Sequence, residues 1–199
     1  MLRQIATQLK KPSGFFGTIM SNLMIQRNRN AYKTLLKELK IQPTDRLLEI
    51  GFGPGWGIYT YAKQYETSTF HGIDFSQLMY QRASKKNKQF IDNKRVSLQF
   101  GDFIEVEISK PDFDKIYCLN VIYFWNNLSV PFQKIYSLLK NGGSFHIYMT
   151  GPEELRKNKF ADDIFNKYSI VQVVDAIKNA GFNEIDFFGE KEYFIRAKK

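Results

Sequence analysis

The chain has 199 residues, of which 43% are hydrophobic and 25% charged, the size and composition of one globular domain and not of a disordered or fibrous chain. Its single cysteine, Cys118, excludes an internal disulfide and a cysteine zinc cluster, and no stretch approaches the ~20 apolar residues of a membrane span. The net charge of +9 is gathered at one end: residues 1–46 hold nine Lys or Arg against Glu38 and Asp45.

In chain order, the N-terminus MLRQIATQLKKPSG has no apolar core of a secretory signal, and a cytoplasmic location is expected. Lys11-Pro12-Ser13-Gly14 is a break, after which Ile19, Leu23, Met24, Leu35, Leu36 and Leu39 recur at helical spacing over 16–40. Gln42-Pro43-Thr44-Asp45 is a turn. The pattern then changes to apolar strands alternating with helices. Strands are predicted at Arg46–Ile50, Thr69–Asp74, Val96–Phe100, Phe113–Cys118 and Ser144–Met149, with Lys110-Pro111 leading into the fourth. Helices are predicted at 57–65, 76–90, 129–140 and 169–180. Glu184–Phe188 and Tyr193–Ala197 alternate as a closing antiparallel pair. This is a doubly wound α/β pattern of seven strands, mostly parallel. It divides into an N-terminal helical segment, 1–42, and an α/β domain, 43–199. In such sheets ligands bind outside the carboxyl ends of the strands.

At the first such end stands Glu49-Ile50-Gly51-Phe52-Gly53-Pro54-Gly55-Trp56-Gly57. Glycines there permit a tight turn and a close backbone approach. The dinucleotide fingerprint G-x-G-x-x-G fails, because Trp56 and Ile58 stand where its third glycine belongs, and the P-loop Lys-Ser/Thr pair is absent. Asp74 ends the second strand, 23 residues after Gly51, and its carboxylate can accept from two ribose hydroxyls. Asp102 follows the third strand, where it can accept from an adenine amino group while Phe103 or Ile104 packs the ring. Asn120 follows the fourth. Four polar positions on four successive strand ends converge on one crevice.

With these residues the chain resembles the class I, Rossmann-like S-adenosylmethionine-dependent methyltransferases, and the small single-domain bacterial and archaeal type in particular. The resemblance covers roughly 43–199 as the Rossmann-like domain, and implies that the N-terminal helical segment, 1–42, is a cap or lid over the donor pocket. It implies that Glu49–Gly55 is the glycine-rich first motif, with Glu49, Gly51, Gly53 and Gly55 on the methionine side. It further implies that Asp74 binds ribose, that Asp102 and Phe103 form the adenine motif, and that Asn120 closes the fourth motif. Leu138–Phe145 resembles the family's helix-to-strand turn, with Asn141 in place of the usual proline. The implied cofactor is S-adenosylmethionine; no metal is expected.

The acceptor is narrowed by exclusion. Amino-methylating nucleic-acid enzymes of this fold carry [DN]-P-P-[YF] after the fourth strand, and here Asn120-Val121-Ile122-Tyr123 has no proline. Cys118 has none of the Pro-Cys setting of a cytosine-C5 nucleophile and reads as a buried apolar residue. Tyr123, Phe124 and Trp125 are expected on the acceptor side, stacking on a planar acceptor or packing as core. His146, Tyr148, Tyr123 and Trp125 are the catalytic candidates, with His146 the preferred base; His71 reads as structural. Lys85-Lys86-Asn87-Lys88 reads as a solvated helix face. The basic N-terminal segment, with Phe15, Phe16, Ile19, Met20 and Met24, suits an anionic, partly apolar acceptor, a nucleic acid or an anionic lipid surface, or is a solvated face. Residues 150–168 are the other acceptor-side insertion. The expected partner is a small-molecule acceptor, anionic or aromatic. The alternatives are an RNA methyltransferase, less favoured because no separate RNA-binding domain is present, a non-catalytic S-adenosylmethionine-binding protein, and a nicotinamide oxidoreductase.

Overall fold

The computed structural model describes residues 14–109, 112–157 and 165–199. The expectations for residues 1–13, Lys110-Pro111 and 158–164, and for the side chains of Phe15, Phe16, Ile19, Met20 and Met24, lie outside the described residues. The elements are α1 (Gly14–Leu39), β1 (Arg46–Ile50), α2 (Trp56–Gln64), β2 (Thr69–Asp74), α3 (Gln77–Lys86), α4 (Lys88–Asp92) and β3 (Val96–Phe100). They continue with β4 (Phe113–Leu119), a 3₁₀ turn (Ile122–Phe124), α5 (Ser129–Leu138), β5 (Leu139–Thr150), α6 (Pro152–Arg156), α7 (Ile170–Asn179), β6 (Asn183–Phe188) and β7 (Glu192–Lys198).

The strands form one seven-stranded sheet in the order β3-β2-β1-β4-β5-β7-β6. β7 is antiparallel to both its neighbours, and the other six strands run one way. The order reverses between β1 and β4, where a crevice opens at the carboxyl edge. The inner strands are buried along nearly their whole length because both faces are covered. Side chains alternate across the pleat. Leu48, Ile50, Ile116, Cys118, Phe145 and Ile147 enter a core with Phe132, Ile135, Val173 and Ile177 of α5 and α7. Leu47, Tyr117 and Leu119 enter the other, with Tyr32, Leu35 and Leu39 of α1 and Ile58, Tyr61 and Ala62 of α2. α1 therefore packs on the sheet through its last three turns, although helical spacing alone says nothing of where it docks.

The structure departs from the predicted elements twice. The helix expected over 76–90 breaks at Asn87, whose side-chain amide donates to the carbonyls of Ala83 and Gly55, 2.9 and 3.1 Å away. A side chain competing for a helix carbonyl disfavours continuation. Lys85, Lys86 and Lys88 are solvated as expected, but Asn87 between them is fully buried. The helix expected to reach residue 140 ends at Leu138. Leu139 is already extended and pairs with Phe113, so Lys140–Gly143 form the irregular start of a twelve-residue β5. Gly142, at φ +77°, donates to the carbonyl of Lys199, which ties the turn to the chain end.

Phe132 is fully buried, with its ring against Trp125 and Phe145 at 6.3 and 5.4 Å between centroids. Truncating such a side chain leaves a cavity that its neighbours only partly refill. Phe132→Ala should lower unfolding free energy by about 3–5 kcal/mol, read as the shift in urea midpoint at unchanged slope.

Candidate active site

A cavity of about 580 Å³ opens at the carboxyl ends of β1, β2, β3 and β4 and beside the end of β5. The turn after β1 forms one side of it. Gly51, Gly53 and Gly55 have φ of +74°, +54° and +74°, a region costly for any residue with a Cβ. They serve different ends. A side chain on Gly51 would overlap Val121, and one on Gly55 would overlap Ala83 and Asn87, so both are close-packing positions. A Cβ on Gly53 would meet nothing within 4 Å; that backbone faces open cavity. Gly51 and Gly53 line the cavity, whereas Gly55 lies behind it against α3.

Asp74 holds this turn. Its Oδ2 accepts from the Gly53 N–H and its Oδ1 from the Ser76 N–H, both at 2.8 Å. The carboxyl is 6% exposed, and burial, outweighing those two donors, raises its pKa to about 6. Each oxygen keeps a second lone pair toward the cavity it lines. Asp102 is exposed on the opposite lip, and its Oδ1 accepts from the Ile104 N–H at 2.9 Å. Phe103 is buried between Trp125 and the Lys134 ammonium, and Ile104 lies at the lip. Asp102, Phe103 and Asn120 all line the cavity, so six of the eight predicted donor-side positions, Gly51, Gly53, Asp74, Asp102, Phe103 and Asn120, meet at one opening, and Glu49 and Gly55 do not.

Glu49 does not line the cavity. It lies behind the turn, 1% exposed, and accepts from the hydroxyls of Tyr32 at 2.8 Å and Tyr117 at 3.0 Å. Gly57 is what lets the Tyr32 ring reach it, since a Cβ there would overlap that ring. Burial raises the Glu49 carboxyl to about 8 despite the two phenol donors. Tyr32, on α1, is a contributor that sequence spacing did not reveal.

The end of β4 builds the other half. Asn120 sits at φ +55°, a left-handed conformation asparagine tolerates. Its Oδ1 accepts from the Tyr123 hydroxyl at 3.0 Å and the Thr150 N–H at 3.1 Å, and its Nδ2 donates to Asn28 Oδ1 at 3.4 Å. α1 thus reaches the cavity through Asn28. Tyr123, Phe124 and Phe165 stand ring to ring, with Phe75 beyond Phe124, and form an aromatic wall. Trp125 lines the cavity and also packs on Phe132, and its carbonyl accepts from Tyr168 and Asn166. Phe165 falls in the 150–168 segment expected on the acceptor side, whereas Phe75 was not singled out from sequence and Asn28 was not placed at the cavity, because only the fold brings residues so far apart in the chain to one wall.

Two catalytic candidates lie elsewhere. His146 is buried below the strand end, outside the cavity lining; its Nε2 shares a hydrogen bond with Ser144 Oγ at 2.8 Å and its ring packs on Phe194. Burial lowers its pKa to about 3, so the preferred base is neither at the cavity nor inclined to take a proton. Tyr148 points to the same face and donates to Glu192 at 2.6 Å. His71 packs edge-on against Phe113, and Cys118 is a buried free thiol with its pKa pushed up by burial.

Residues 47–143 match a family model described as a methyltransferase domain. The chain is 29% identical over 168 residues to an uncharacterized methyltransferase of Bacillus subtilis (strain 168), YdaC, covering 84% of this chain and 88% of that protein. It is 25% identical over 168 residues to the sterol 24-C-methyltransferase of Kluyveromyces lactis, covering 78% of this chain but only 44% of that longer protein. Among solved structures, phosphoethanolamine N-methyltransferase 2 of Haemonchus contortus, in complex with S-adenosyl-L-methionine, superposes with a TM-score of 0.73 at 20% identity. That match covers 85% of this chain and 52% of the other, and at that identity it is a likeness of fold.

Unfolded, Glu49 would titrate near ~4.3; folded, it does so near 8. Between those values the folded state holds a proton that the unfolded state lacks, so this group's contribution to stability falls as pH rises through the window. Urea unfolding of the free protein from about pH 5 to pH 8 should show that decline, and Glu49→Gln should flatten it above about pH 7, where Asp74 has titrated and contributes little further slope.

Proposed function

The chain is a class I, Rossmann-like S-adenosylmethionine-dependent methyltransferase, and we propose that within this class it methylates a small molecule seated against the wall of Tyr123, Phe124 and Phe165. The donor supplies a methyl group already activated on a sulfonium, so the residues of this chain have chiefly to bind and align. The Gly51–Gly53 backbone and the free lone pairs of Asp74 suit the donor's amino-acid and ribose parts, and Asp102, Phe103 and Ile104 suit its adenine.

The observation that carries the acceptor reading is the cavity itself. Its volume of about 580 Å³ is that of a small-ligand site and must hold the donor as well. The half away from Asp74 ends on aromatic rings, with Asn28, Asn120 and Thr150 as the polar groups beside them. Burial raises the Tyr123 hydroxyl, which stays protonated at neutral pH and serves as an orienting hydrogen-bond group, not as a base. Rings of this kind stack on planar acceptors and shield a developing positive charge. The relatives named for sterol and phosphoethanolamine acceptors support a low-molecular-weight acceptor without choosing between them.

Two experiments test this reading. In calorimetric titration with S-adenosylmethionine and S-adenosylhomocysteine, and NAD as control, Asp74→Ala should lose about 1–3 kcal/mol of donor affinity, because it unties Gly53 and removes the ribose acceptor. An unchanged affinity would remove Asp74 from the site. With the donor bound, a panel of small amines, thiols, phenols and carboxylates is screened by release of S-adenosylhomocysteine, alongside total RNA. Phe124→Ala should keep donor affinity and lower turnover on a small acceptor by roughly tenfold or more. Transfer to RNA alone, collapsing with added salt, would instead make the acceptor a nucleic acid.

A further inference from the structure

Glu49 is a carboxylate in an unusual position for one. It is buried behind the turn that carries Gly51 and Gly53, one residue from Ile50, which lines the cavity. The groups facing it come from four elements: Tyr32 from α1, Tyr61 from α2, Asp74 from β2, and Tyr117 and Cys118 from β4. Two of the phenols donate to it. Burial pushes the phenols and the thiol up, so at neutral pH they are uncharged. Asp74 carries the same sign as Glu49. No cation among the described residues is paired with either carboxylate.

An uncompensated buried carboxylate tends to hold a proton, and a positive charge brought close favours its release. The ligands of this cavity differ in that charge. S-adenosylmethionine carries a sulfonium; S-adenosylhomocysteine is alike except for a neutral thioether. Resting on the donor assignment above, we propose that Glu49 discriminates the charged donor from its spent product, giving its proton to solvent when the sulfonium ligand binds and taking one back when the thioether replaces it. The atoms balance: during transfer the carbon–sulfur electron pair stays on sulfur and the methyl group goes to the acceptor. Glu49 then regains a proton from water, and the attraction that favoured the donor is gone when the product must leave. Tyr32 meets Oε1 and Tyr117 meets Oε2, so both phenols donate to the carboxylate; in the acid one phenol still donates to the carbonyl oxygen while the protonated oxygen donates to the other phenol's oxygen.

The test needs no acceptor. Both ligands are titrated calorimetrically into the full chain in buffers of different ionisation heat, from about pH 7 to about pH 8.5, above the range in which Asp74 titrates. S-adenosylmethionine should bind with proton release near pH 7 and several-fold more tightly at the upper end. S-adenosylhomocysteine, which shares the same amino-acid and adenosine groups, should change by less than about twofold, so the ratio of the two affinities rises with pH. Glu49→Gln should remove the excess release and flatten the ratio. Equal proton release for both ligands, or an undiminished difference in Glu49→Gln, overturns the proposal while leaving donor binding intact. If neither ligand binds, the donor assignment itself fails. Should Glu49→Gln not fold, the two-ligand comparison on the unsubstituted protein decides alone.

Discussion

The turn after β1 has no regular hydrogen-bond ladder of its own, and its shape depends on the carboxylate of Asp74. One oxygen takes the N–H of Gly53 and the other the N–H of Ser76, so a single side chain ties the first strand end to the second and sets the entry of α3. Asn87 supports the same turn from behind, through the carbonyl of Gly55. With the turn fixed, the open backbone at Gly53 and the crevice between β1 and β4 face each other across the cavity. A glycine-rich segment without these ties would have many conformations of similar energy, and the ordering would fall to the ligand as a loss of affinity.

The two halves of the cavity are built on different principles. The proposed donor half uses backbone and carboxylates from consecutive strand ends, all placed by the parallel register of β1, β2 and β3. The proposed acceptor half draws on α1 through Asn28, on the 3₁₀ turn after β4, and on Phe165 beyond β5. Asn120 joins them: it is at the end of a central strand, and its side chain fixes Tyr123 and Thr150 while reaching Asn28. Its left-handed backbone is the kind of local cost that persists where surrounding contacts hold it.

This difference also explains what the sequence made legible. Strand ends are readable because apolar runs and glycines announce them, so five strand positions and the line of Asp74, Asp102, Phe103 and Asn120 could be placed from spacing alone. The break at Asn87 was not readable, because a buried asparagine among three lysines has the composition of a solvated face. The preference for His146 failed for a related reason. Periodicity tells which residues lie in a strand, but whether a side chain near its end faces the cavity or the layer behind depends on register, and His146 faces Phe194. Tyr32 and Phe165 come from segments far from the motifs, where contact is a property of the fold and not of spacing.

Burying Glu49 and Asp74 together is costly, since like charges in a low-dielectric site disfavour each other's ionisation and, among the described residues, no cation is paired with either to offset the lost hydration. Structural need accounts for only part of this. Asp74 has its two backbone donors, but the partners of Glu49 are phenols, which can donate or accept and so could pair with a neutral amide as well. A glutamine at this position would accept from one phenol through its oxygen and donate to the other through its amide nitrogen, without the ionisable proton. What the carboxyl adds is the capacity to become negative when positive charge arrives. In a protein whose donor is a cation and whose product is not, that capacity converts a cost of the free state into a preference for the charged ligand.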